Sequence, residues 1–230
     1  MRRANGATSL STTWSLAEGA TGFFYTYLLL GNPNTDAATA TVRYQLPDGT
    51  AFEKTYEVDG QSRRTIDVRG EDARLESATI GMSINSTLPI VTERVMWWGL
   101  PFYEGSVALG STATDSAWAI GEGWEAGPKS EATFVLVSNG SSTDGTVRFT
   151  VVYEDGTSPQ TQQKEYALVG NARLTVRIGD DFPDARNRSF SVLVESLTDG
   201  VPITVEYSRY QNAGSNALDG GGAALATRVR

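Results

Sequence analysis

The strongest constraint on this chain is an internal duplication. Trp14-Ser-Leu-Ala-Glu18-Gly19 returns as Trp118-Ala-Ile-Gly-Glu122-Gly123, and Tyr27-Leu-Leu-Leu-Gly-Asn32 as Phe134-Val-Leu-Val-Ser-Asn139. Tyr56, Gly60, Arg63 and Thr65 recur at constant spacing as Tyr166, Gly170, Arg173 and Thr175. Asp48-Gly49-Thr50 pairs with Asp155-Gly156-Thr157, and Pro89-Ile90 with Glu93 pairs with Pro202-Ile203 with Glu206. Matches in one order, with gaps confined to Gly/Ser/Asp-rich stretches, mark one structural unit used twice. The spacing predicts a lead-in over 1–11, a first repeat over 12–105, a linker over 106–115, a second repeat over 116–212 and a tail over 213–230. That tail looks like the approach to a further repeat.

Each repeat has about 100 residues in which to bury a core, and the pattern within it is β. In the first repeat strands are expected near 12–17, 23–31, 38–46, 51–58, 62–69, 77–85 and 89–98. Thr39-Ala-Thr-Val-Arg-Tyr alternates in the way a half-buried strand requires, and Pro47-Asp48-Gly49-Thr50 then closes a hairpin. About seven short strands with a turn every 8–12 residues predict two tandem immunoglobulin-like β-sandwiches.

Composition removes function classes. The chain has no Cys and no His, so thiol chemistry, Ser-His-Asp triads and His-based metal clusters are excluded. A net charge of −8 with no basic stripe argues against nucleic acid. No run of about 20 apolar residues is present, so no helix is expected to insert in a membrane. No P-loop, dinucleotide fingerprint or nucleophile elbow is found. The N-terminus lacks an apolar export region, so an export signal is expected to lie outside this segment.

The series Trp-x-x-x-Glu-Gly, apolar strand ending in Asn, Asp-Gly turn, Ser62-Arg63-Arg64-Thr65-Ile66 and Pro89-Ile90-Val91-Thr92-Glu93-Arg94 resembles a type of bacterial repeat. Such uncharacterised domains occur in tandem in large secreted or surface proteins. The resemblance spans roughly residues 12–212. It implies a β-sandwich, an extracellular or cell-surface location and neighbouring domains in a longer chain, and supplies no catalytic residues. The second repeat departs from it, with Asn171-Ala-Arg173 for the Ser-Arg element and Glu206-Tyr207 for Glu-Arg.

Four features could carry chemistry. Glu18, Arg63 and Glu93, recurring as Glu122, Arg173 and Glu206, are read as an Arg–carboxylate fork tying strands together within each sandwich, in preference to a catalytic carboxylate pair. Trp14 and Trp118 are read as buried anchors. Trp97 and Trp98, with Phe102 and Tyr103, form the densest aromatic cluster; in a strand the two Trp side chains point to opposite faces, so one packs on the second repeat or offers a glycan or protein docking patch. Asp180, Asp181 and Asp184 gather oxygens in a loop and are minor candidates for calcium, without EF-hand spacing. The expected function is a non-catalytic structural or adhesive spacer. A carbohydrate-binding module and a self-assembling filament or surface-layer subunit stand as alternatives.

Overall fold

Alternation between buried and solvent-facing residues builds the strands of the first half. These are β1 (Ser11–Leu16), β2 (Tyr25–Asn32), β3 (Ala38–Gln45), β4 (Ala51–Val58), β5 (Ser62–Asp67), β6 (Gly81–Trp98) and β7 (Glu104–Leu109). The computed structural model describes residues 6–99, 104–212, 218 and 220–229. In β3, Ala38, Ala40, Val42 and Tyr44 are buried while Thr39, Thr41 and Arg43 face outward, the two-residue period of a one-sided strand. The hairpin after it turns at Gly49, whose φ of +86° suits a residue without Cβ. Asp48 stabilises the turn by accepting the Thr50 N–H at 2.9 Å.

One strand joins the two layers of this half. Up to Ser86, β6 pairs with β3, and β1 lies on its other side; beyond Ile90 it pairs with β2 and β7. The layers β4-β3-β6-β1 and β5-β2-β6-β7 enclose a core of Trp14, Leu16, Leu28, Leu30, Val42, Tyr44, Met82, Ile84 and their neighbours. Two strands were expected here, over 77–85 and 89–98, with a break between them. The break is absent because Pro89 sits where β6 leaves one partner for the other, so its missing N–H deprives no ladder of a bond.

The second half repeats this pairing with β8 (Ala117–Trp124), β9 (Ala132–Asn139), β10 (Gly145–Tyr153), β11 (Thr161–Leu168), β12 (Arg173–Arg177), β13 (Ser189–Ser196), β14 (Ile203–Gln211), β15 (Gly220–Leu225) and β16 (Thr227–Arg228). A single helical turn, α1 (Ile178–Asp181), follows β12. The layers are β11-β10-β13-β8-β16 and β12-β9-β14-β15, around a second core with Trp118, Phe149, Val151 and Phe190. Here β13 and β14 are distinct strands, separated by a turn at Gly200 with φ +75°.

Shared devices recur at matching positions. Trp14 donates its indole N–H to the Ile90 carbonyl at 3.1 Å, and Trp118 donates to the Ile203 carbonyl at 2.9 Å. Buried Asn32 donates to the Asp36, Val58 and Asp59 carbonyls; buried Asn139 donates to those of Thr143 and Val169. A Cβ on Gly60 would fall 1.9 Å from the Thr35 carbonyl oxygen, and one on Gly170 2.4 Å from that of Ser142.

Segments expected to lie outside the repeats turn out to hold strands. Residues 106–115, read as a linker, carry Ser106–Leu109 of β7, a bridge from Ser111 to Ser15 and one from Asp115 to Ile203. Residues 213–230, read as a tail, contribute β15 and β16. β15 was missed because a strand of Gly and Ala lacks the large apolar residues by which alternation is recognised. Among the described residues no helix is long and apolar enough to cross a membrane.

Candidate functional site

The highest concentration of buried charge lies where the halves meet. Ladder partners share a face, so on β9 and β14 the pairs Val135–Tyr207 and Val137–Val205 face their own core. The alternate pairs, Leu136–Glu206, Ser138–Thr204, Phe134–Ser208 and Ala132–Tyr210, face away from that core and against the first half. In the first half, Arg94 sits opposite Leu28, on the inward face of β6, beyond the edge of the apolar core. It is fully buried, as is Glu206, and Glu18 is 3% exposed.

Arg94 bridges the halves. Its Nη2 donates to Glu18 Oε2 at 2.7 Å, and its Nη1 to the Glu18 carbonyl at 2.9 Å and to Glu206 Oε2 at 3.0 Å. Glu206 Oε2 also accepts the Glu18 N–H at 2.6 Å, and the Tyr210 hydroxyl donates to Glu18 Oε1 at 3.1 Å. Arg173, also buried, donates from Nη1 to the Gly19 carbonyl at 3.1 Å. Two guanidinium groups therefore balance two carboxylates.

Burial opposes charge on Arg94, but Glu206 and Glu18 outweigh it and hold the guanidinium above its ordinary value. Burial lowers Arg173 to about 10, and raises the Glu206 carboxyl against the pull of Arg94. Burial likewise lifts the Tyr210 phenol, with the charge of Glu18 adding to it.

An aromatic seam flanks the charges. The Tyr210 ring lies 5.6 Å from Phe24, 5.5 Å from Trp98 and 5.9 Å from Phe134. On the other side Gln45 donates to the Asn139 carbonyl at 2.8 Å and accepts from Ser138 Oγ at 2.9 Å. A cavity of about 240 Å³ remains between Glu18, Phe24, Met96, Phe134, Arg173 and Tyr210.

The structure corrects the fork expected within each sandwich. Arg63 is exposed and Glu93 half-exposed, both on the outward face of the β5-β2-β6-β7 layer, and among the described residues neither side chain has an ion-pair partner. Their counterparts Arg173 and Glu206 are buried because the first half covers the equivalent face of the second. Glu18 is buried at the junction, whereas its counterpart Glu122 is exposed and pairs with Arg209, which also binds Glu131 at 3.0 Å. The residue that gathers the carboxylates is Arg94, next to the Glu that the repeat pattern singles out. Its absence from the second repeat, where Tyr207 stands, was the available signal.

Trp14 and Trp118 are buried, at 3% and 1% exposure. Trp98 is buried against Phe24 and Tyr210, and thus packs on the second half; Trp97 faces outward over Gly105. Phe102 and Tyr103 lie outside the described residues. The three acidic loop residues are directed to separate partners: Asp180 to Arg177 at 3.7 Å, Asp181 to Lys164, and Asp184 to Gln162 at 2.7 Å. Among the described residues no three acidic groups converge in a way that could hold a metal ion.

No family model matches the chain, and no curated protein sequence does. Among solved structures, Thermotoga maritima 1070 is 17% identical over 51% of this chain and 97% of its own, with a TM-score of 0.43. The Anabaena sensory rhodopsin transducer is 22% identical over 41% of this chain and 96% of its own, at 0.33. The major pilin from Streptococcus pyogenes is 8% identical over 87% and 97%, at 0.23. Likenesses this distant carry no functional argument.

Proposed function

We propose that this chain is a non-catalytic structural spacer, two copies of one immunoglobulin-like sandwich domain fused into a rigid rod segment of a bacterial extracellular or cell-surface protein. The observation that supports it is the buried Glu18–Arg94–Glu206 bridge, which ties the halves through charges removed from solvent. A flexible tether would leave such groups in water; burying them is favourable only if the partners stay in register. The same carboxylates are committed to guanidinium groups, which leaves none of them poised as an acid or base for a substrate. In this reading the spacer holds neighbouring domains of a longer chain apart and uses no cofactor.

One observation favours a second reading, carbohydrate binding. Trp97 shares the outward face of its layer with Tyr25 and Tyr27, an aromatic surface of the kind on which sugar rings stack. Tryptophan fluorescence titrated with soluble polysaccharides, with and without calcium, separates the two. The spacer reading expects no saturable change, together with a small-angle scattering profile of one rigid particle. A saturable change abolished in Trp97→Ala would replace it with the binding-module reading.

A further inference from the structure

The two surfaces that meet inside this chain each exist a second time, with no other half packed on them among the described residues. The outward face of the β12-β9-β14-β15 layer, which docks on the first half, presents Phe134, Leu136, Arg173, Glu206 and Tyr210. Matching ladder positions on the β5-β2-β6-β7 layer carry Tyr27, Leu29, Arg63, Glu93 and Trp97. Aromatic corresponds to aromatic, Leu to Leu, Arg to Arg and Glu to Glu, yet Arg63 is exposed and the other four are only partly buried.

The receiving surface is duplicated as well. In the first half it is built around Glu18, Ala20, Thr79 and Met96. The register of the paired strands places Glu122, Trp124, Ser189 and Arg209 at the same positions of the second half. There they line an open cavity of about 430 Å³, the larger counterpart of the one at the junction. Arg209 takes over the role of Arg94 from a position two residues further along the strand, pairing with Glu122 as Arg94 pairs with Glu18. It remains 28% exposed where Arg94 is fully buried, and its second carboxylate is Glu131 of its own half, where that of Arg94 is Glu206 of the other half.

We propose that a second copy of this chain docks its Tyr27–Leu29–Arg63–Glu93–Trp97 face on the open end of the second half, repeating the internal junction between molecules. Glu93 then approaches Arg209 as Glu206 approaches Arg94, and Arg63 enters the acidic rim of Glu122, Glu131 and Glu154. The two surfaces differ, so the contact is head-to-tail, and each added chain offers a fresh copy of both. This assembly adds to the spacer reading without depending on it: a chain that stays single can still be a rigid spacer.

Sedimentation velocity on the full chain from about 1 to 300 µM tests the proposal, covering affinities expected of a contact of modest size. Wild-type chain is expected to form a concentration-dependent ladder of species. Leu29→Asp, on the face, and Arg209→Glu, at the open end, should each raise the concentration for half-association by roughly tenfold or more. Far-UV circular dichroism and unfolding midpoints verify that both variants remain folded. Mixed together, they should form 1:1 dimers and nothing larger, because only one intact face and one intact end remain in the pair. Wild-type protein that stays monomeric throughout overturns the proposal, as does association indifferent to either substitution or a mixture that stays monomeric or grows past the dimer.

Discussion

Arg94 lies fully buried between Glu18 and Glu206, so its removal leaves two interior carboxylates with only Arg173 to balance them. Arg94→Met is expected to cost about 3–5 kcal/mol in urea-induced unfolding, because breaking a buried ion pair from one side leaves uncompensated charge. Removing one carboxylate charge as well, with Glu206→Gln added, should recover much of that loss, because Arg173 then balances the remaining Glu18. A single-variant cost below about 1 kcal/mol would show the carboxylates to be hydrated. At the surface, Asp155 is held at about 2, below its ordinary 3.8, by its bonds to Arg188 and by the Thr157 N–H. A lowered carboxylate stabilises the fold above the ordinary value and loses that contribution as pH falls towards 2. A carbon-detected titration should therefore find Asp155 near 2, and Arg188→Ala should return it towards 3.8; an unmoved midpoint would mean the pair does not form. Glu18, Arg173 and Glu206 were identifiable in the sequence because they recur, as were the buried Trp14 and Trp118. Their partner was not. Arg94 occurs in one copy only, and a search for repetition passes over a residue that joins unlike ends.

Strand identity was legible wherever a strand has one wet face, as in β3 and β4, because alternation reports burial directly. It failed in two situations. Where β6 crosses between layers, the strands expected over 77–85 and 89–98 run together, because the strand changes partner without a break. Where β15 pairs through Gly and Ala, there was too little side chain to show a period. The recurring glycines were more informative than their neighbours. Gly60 and Gly170 each lie under a loop carbonyl, so Gly60→Ala must displace backbone and not merely a flexible side chain. The substitution should cost more than about 1 kcal/mol, above the usual penalty for a surface change. Thermal unfolding of Gly60→Ala beside Gly70→Ala, where nothing lies near the added carbon, measures the difference directly. Equal midpoints for the two variants would show that the loop yields freely.

For the whole molecule, the duplication predicted two similar halves but not how they meet, since a contact between unlike faces of like units leaves no periodic mark. A spacer of fixed length requires that contact to be rigid. With no native cysteine, spin labels can be placed on Glu57→Cys and Ala167→Cys, exposed positions of β4 and β11 in opposite halves. Double electron–electron resonance on the doubly labelled chain measures the separation of the halves and its spread. One narrow distance distribution, broadened when Arg94→Ala is introduced, is the predicted result. A broad distribution in the otherwise unaltered chain would contradict the account, because the halves would then move independently and the buried bridge would not hold them.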